Sequence, residues 1–68
     1  MKVLIITGSE SDLTLAKETV KILEEFGIPY RIEVASAHRS PERVVRLVRE
    51  SEKDGVEVII AMAGMAAH

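Results

Sequence analysis

The chain has 68 residues, room for one small domain, and it contains no cysteine, which excludes disulfides and zinc–thiolate sites. It is 47% hydrophobic and 29% charged, with a net charge of −2, one Phe, one Tyr and no Trp. It therefore lacks both the basic stripe and the aromatic platforms of a nucleic-acid binder. The opening MKVLII is too short for a signal-peptide core or a membrane span, and a cysteine-free composition fits a reducing cytosol. A cytoplasmic protein with neither a nucleic-acid nor a membrane partner is expected.

Val3–Thr7 is continuously apolar and β-branched, the pattern of a strand buried on both faces of a parallel sheet. GSESD follows and opens a helix, with Ser9 as N-cap and Asp12 three residues on, resembling a capping box. Leu13, Ala16, Val20 and Leu23 recur at helical steps, and Leu15, Ile22 and Phe26 broaden that stripe. Gly27 supplies the C-terminal cap and Pro29 prevents continuation. Residues 30–35 then alternate, with Tyr30, Ile32 and Val34 between Arg31 and Glu33, predicting a strand exposed on one face.

SAHR forms the next loop. Ser40 caps a second helix with Pro41 at its first position, Val44, Leu47 and Val48 give it an apolar face, and Gly55 ends it. Residues 56–61, VEVIIA, read as a third strand, and MAGMAAH is a loop of small residues. The order β-α-β-α-β with short connections predicts parallel strands joined by right-handed crossovers. With the first strand central, the helices fall on opposite faces, as in flavodoxin-like folds. Three strands and two helices leave one edge uncovered, so the chain is expected to be the front part of a larger domain or to depend on a partner.

All three loops follow strands, and in open α/β sheets ligands bind at that edge. Gly8 and Ser9 offer backbone N–H groups, a hydroxyl and a helix end to an anion, although Ser9 also reads as a simple cap. The loop matches neither a Walker A motif nor G-x-G-x-x-G. Asp12 reads either as a first-turn acid suited to the helix dipole or as an acceptor for sugar hydroxyls. No second ligand stands at a metal-binding spacing from it.

His38 reads as a structural or surface histidine, or as a proton-transfer group whose ordinary pKa of about 6.5 suits neutral pH. Arg39 beside it suits a phosphate, and Ser36 is placed to orient either group. Met62 and Met65 in the last loop read as packing residues.

In this order and at these strand ends, GSESD, SAHR and AGMAAH resemble the class I 5-(carboxyamino)imidazole ribonucleotide mutases of purine biosynthesis (PurE), across all 68 residues. Arg39 and His68 distinguish that class from the related one that uses free carbon dioxide. The resemblance implies a flavodoxin-like three-layer α/β/α sandwich, of which only the first β-α-β-α-β part is present, and assembly as an octamer with sites at subunit contacts. It implies transfer of a carboxylate from the exocyclic nitrogen to ring carbon 4, without metal or organic cofactor.

By the same resemblance, His38 is the proton shuttle. Arg39, Ser9, Ser11 and Ser36 serve the phosphate side of the substrate and Asp12 the ribose, while Gly64 and His68 belong to the loop that closes over the base. Leu13 stands where most members have Trp, and Met62 and Met65 stand where the third motif has Gly. The family continues beyond the matching stretch, so the 68-residue chain by itself is expected to be inactive. Two other readings are a related nicotinate-nucleotide carboxylase and a non-catalytic flavodoxin-like module that binds nucleotides or anions.

Overall fold

The computed structural model describes residues 1–36 and 39–63. Its strands are β1 (Val3–Thr7), β2 (Tyr30–Val34) and β3 (Val58–Met62), and its helices are α1 (Leu13–Glu25) and α2 (Pro41–Lys53). A single 3-10 turn, Glu10–Asp12, precedes α1. The sheet is parallel in the order β2-β1-β3, with Thr7 of β1 opposite Val34 on one side and Met62 on the other. This is the expected flavodoxin-like arrangement, and strand order reverses beside β1.

Alternation along β1 explains the layers. Val3 and Ile5 pack with Ala16 and Leu23 of α1, while Leu4 and Ile6 pack with Leu47 of α2 and with Ala35. Every residue of β1 is buried, so the continuous apolar run is required by two covered faces rather than one.

Both helices end in the same way. Gly27 and Gly55 have φ of +67° and +81°, a conformation that costs glycine little. Ile28 N–H bonds the Leu23 carbonyl at 2.9 Å and Val56 N–H bonds the Ser51 carbonyl at 2.9 Å, closing a Schellman motif at each C-terminus.

Several element boundaries differ from the sequence reading. The α-helix begins at Leu13 because residues 10–12 form the tighter 3-10 turn, and the Ser9 side chain makes no cap hydrogen bond. Ser40 likewise caps α2 without its hydroxyl; its carbonyl accepts from Arg43 and Val44 N–H at 3.1 and 3.3 Å. β2 stops at Val34, although Ala35 N–H still reaches the Thr7 carbonyl at 2.8 Å. β3 runs Val58–Met62 instead of 56–61. Val56 is used by the Schellman closure, and Glu57 and Val58 N–H both turn to the Lys2 carbonyl.

β2 is half-buried throughout instead of exposed on one face. Arg31 and Glu33 are drawn into a network with α2: Arg31 pairs with Asp54 at 3.0 Å and Glu33 with Arg43 at 3.3 Å. The β2 edge is thus polar and tied down.

The β3 edge is the opposite. Val58 and Ile59 are 39% and 41% exposed. Leu15, Ile22 and Phe26, expected to widen the buried stripe of α1, are exposed as well. Leu15 and Ile22 line an open groove with Ala61, Met62 and Ala63. Among the described residues, no helix is long and apolar enough to cross a membrane.

Candidate functional site

The three strand-end loops leave the sheet side by side, because neighbouring strands lie about 5 Å apart and Thr7, Val34 and Met62 share one register. Gly8 joins the first loop to the third: its N–H donates to the Met62 carbonyl at 3.0 Å. A β-carbon at Gly8 would stand 3.6 Å from Asp12 Oδ2 and 3.7 Å from Ala63 Cβ. The Asp12 carboxylate therefore sits against the start of the third loop, with only the bare Gly8 backbone between them.

Ser9 is extended (φ −158°, ψ 166°), and the turn that follows folds Asp12 back over it, with Asp12 N–H reaching the Ser9 carbonyl at 3.2 Å. Ser9 Oγ donates to Asp12 Oδ2 at 3.1 Å and lies 2.8 Å from Ser11 Oγ. A carboxylate has no proton to give and a hydroxyl has one. The Ser9 proton is committed to Asp12, so Ser11 is the donor in the Ser9–Ser11 pair. The chain of donation runs Ser11 to Ser9 to Asp12. In this state the cluster turns protons inward and presents oxygen lone pairs outward.

In the second loop, Ser36 does its work on the backbone. Its hydroxyl oxygen accepts from Arg39 N–H at 3.3 Å and its carbonyl accepts from Ser40 N–H at 2.8 Å. Arg39 is exposed, whereas Arg43 is spoken for by the Val34 carbonyl and Glu33. Of the two arginines near this edge, Arg39 is the one with its guanidinium among no carboxylates of the described residues.

The structure thus brings Ser9, Ser11 and Asp12 into one cluster and places Ser36 and Arg39 together on the adjoining strand end. His38, Gly64 and His68 lie outside the described residues, as does Met65. Met62 does not intrude on this edge with its side chain; it packs against the cluster formed by Val3, Ile5, Ala16 and Leu23. Among the described residues, no three His, Asp or Glu side chains gather as a metal site.

Sequence reasoning missed Thr7. It is fully buried, and its Oγ1 has no hydrogen-bond partner among the described residues. The one available signal was a hydroxyl-bearing residue closing an otherwise apolar strand. At the far end of the sheet, the Tyr30 pKa is raised, chiefly by its hydrogen bond to Glu24.

Residues 2–68 match the family model described as AIR carboxylase. The chain is 58% identical over 64 residues to the N5-carboxyaminoimidazole ribonucleotide mutase of Pyrococcus horikoshii, covering 94% of this chain and 36% of that protein. It is 55% identical over 64 residues to the Thermotoga maritima protein of the same name, covering 94% and 37%. It is also 50% identical over 64 residues to the phosphoribosylaminoimidazole carboxylase of Schizosaccharomyces pombe, covering 94% of this chain and 12% of that much longer protein. The chain spans little more than a third of the length of the two mutases.

Proposed function

The chain belongs to the AIR carboxylase family, and on that premise we propose that it supplies part of a 5-(carboxyamino)imidazole ribonucleotide mutase. The product is the 4-carboxy-5-aminoimidazole ribonucleotide. Residues 1–68 form the N-terminal portion of a single domain, and activity belongs to the longer chain that completes it. Two observations support that division: the share of the mutases' length that is matched, and the exposed apolar residues of the β3 edge, across the sheet from the polar β2 edge.

The chemistry needs no electron transfer. The bond from the exocyclic nitrogen to the carboxylate breaks, releasing carbon dioxide, and the nitrogen keeps the electron pair and takes up a proton. Ring carbon 4 attacks the carbon dioxide and then gives up its own proton to restore the aromatic ring. One proton is taken up and one released, so a single shuttling group balances the reaction, and His38 fills that role. Its ordinary pKa range lets it take and return a proton near neutrality.

Arg39 holds the phosphate, with Ser9, Ser11 and Ser36 around it, and Asp12 accepts from the ribose. Gly64 and His68 close over the base and hold the carbon dioxide against loss to solvent. The assembly is an octamer of the completed chain in the cytoplasm.

The observation that carries the reading is the Ser9–Ser11–Asp12 cluster set against Ala63 at the point where strand order reverses. A flavodoxin-like binding module would use the same edge without turnover. The test is to supply the completed natural chain with 5-(carboxyamino)imidazole ribonucleotide and follow the 4-carboxy product. Turnover by that chain, and none by residues 1–68 alone, is expected. Nucleotide binding without turnover would favour the module. Carboxylation of nicotinate nucleotide in its place would favour that alternative enzyme.

A further inference from the structure

Arg43 stands in the first turn of α2, where the helix dipole disfavours a cation. Helix stability therefore does not account for an arginine there; its hydrogen bonds do. Its Nε donates to the Val34 carbonyl at 3.3 Å and its Nη2 to Glu33 Oε2 at 3.3 Å. Its backbone N–H donates to the Ser40 carbonyl at 3.1 Å. One residue thus grips the last residue of β2 and the residue that caps α2, the two flanks of the loop that holds Ser36 and Arg39.

β2 is an edge strand of the described sheet. A trans peptide points its C=O and N–H in opposite directions. Ala35 N–H bonds the Thr7 carbonyl of β1 at 2.8 Å, so the Val34 carbonyl faces outward, and Arg43 meets it there. The Val34–Ala35 peptide is held from both sides. Ser36, the next residue, accepts Arg39 N–H on its hydroxyl at 3.3 Å and Ser40 N–H on its carbonyl at 2.8 Å. The place of the Arg39 backbone therefore depends on that peptide and on the start of α2.

We infer that Arg43 is a positioning residue for ribonucleotide binding, holding the end of β2 and the start of α2 in the relation that sets where Arg39 stands. This role rests on the mutase reading given above, in which Arg39 holds the phosphate. The decisive bond is the one to Val34. Both side chains of the Arg43–Glu33 pair are partly exposed, and such pairs contribute little by themselves; Glu33 orients the guanidinium.

The test compares Arg43→Met, Arg43→Lys and Glu33→Gln with the parent in the completed natural chain. Amide exchange of Arg39 and Ser40 is followed without ligand, relative to the β1 amides, and KM and kcat are measured with substrate. Methionine keeps the apolar stem and loses the donors. Arg43→Met should speed exchange of both amides by about fivefold to tenfold and raise KM by a similar factor, with kcat within about twofold of the parent. Arg43→Lys, which keeps a cationic donor, should recover part of both losses. Glu33→Gln, which leaves the Val34 bond in place, should stay within about twofold of the parent. Unchanged exchange in Arg43→Met would overturn the proposal; with a raised KM it would mean that Arg43 touches the substrate itself. A Glu33→Gln effect as large as that of Arg43→Met would also overturn it, because the ion pair and not the Val34 bond would then set the loop. If the parent turns over no imidazole ribonucleotide, the mutase reading fails and this role fails with it; an active parent with an unchanged KM in Arg43→Met fails this role alone.

Discussion

The hydrogen bond of 3.1 Å between Ser9 and Asp12 has only one possible donor, the Ser9 hydroxyl. Under the proposed function, that direction would make phosphate and ribose recognition interdependent. A phosphate approaching Ser9 alone meets a hydroxyl whose proton points elsewhere and a carboxylate of its own sign. A ribonucleotide brings the replacement donor with it. Asp12→Ala in the completed chain should therefore strengthen binding of inorganic phosphate and weaken binding of the ribonucleotide, each by about fivefold to tenfold. Calorimetric titration with the two ligands measures both. Weakening of both to the same extent would contradict the coupling.

Arg39 carries the anchoring charge in this account. Arg39→Ala should raise the substrate KM by roughly tenfold or more, the scale of a charge-assisted hydrogen bond, and leave kcat much less affected. Steady-state kinetics at two salt concentrations would show the parent's KM rising with salt and the variant's rising less. A kcat effect larger than the KM effect would assign Arg39 to the chemical step instead.

Gly8 separates stability from function. A β-carbon there would meet Asp12 Oδ2, Ala63 Cβ and the Met62 carbonyl at 3.6 to 3.9 Å, ordinary contact distances. Gly8→Ala should fold with a melting temperature at or slightly above the parent's, because the unfolded chain loses freedom. The added methyl sits between Asp12 and the third loop, so substrate affinity should fall. Thermal melts and KM together decide it; unchanged KM would mean that the two loops do not converge on one ligand.

Tyr30 couples the stability of this fold to alkaline pH. Its hydroxyl donates to Glu24 Oε1 at 2.7 Å, and that bond raises its pKa above the ordinary value of 10.0. The folded state thus holds the phenolic proton more tightly than the unfolded one. The stabilisation is complete below the unfolded pKa and is lost as pH climbs through the folded value. Tyr30→Phe should lower stability slightly at neutral pH, where the bond contributes in full, and flatten the stability–pH profile of the completed chain above about pH 10. Denaturant melts across that range would show it.

Much of the architecture was legible because β1 is covered on both faces and says so in five consecutive apolar or β-branched residues. Gly27 and Gly55 marked both helix ends because the left-handed φ they adopt leaves few alternatives. The start of α1 was less legible. Serine and aspartate suit a capping box and a turn equally, and only the folded loop shows Ser9 turned to Ser11 and Asp12.

The fate of Leu15, Ile22 and Phe26 was also hidden. Helical spacing shows that a face is apolar, not whether the layer that covers it lies within the same 68 residues. At the site, residue types and strand-end placement named Ser9, Asp12, Ser36, His38 and Arg39, and Ser11 came with the family resemblance. The buried hydroxyl of Thr7 could not be read, since an unpaired group is defined by what surrounds it.

The most direct test of the mutase reading is the turnover of His38→Asn in the completed natural chain, measured beside ribonucleotide binding. Asparagine keeps hydrogen-bonding capacity and cannot shuttle a proton. Loss of turnover by about a hundredfold or more, the usual worth of a positioned general base, with binding held within a few-fold of the parent, is the predicted result. Turnover close to the parent's would contradict it, because some other group would then be moving the proton from ring carbon 4.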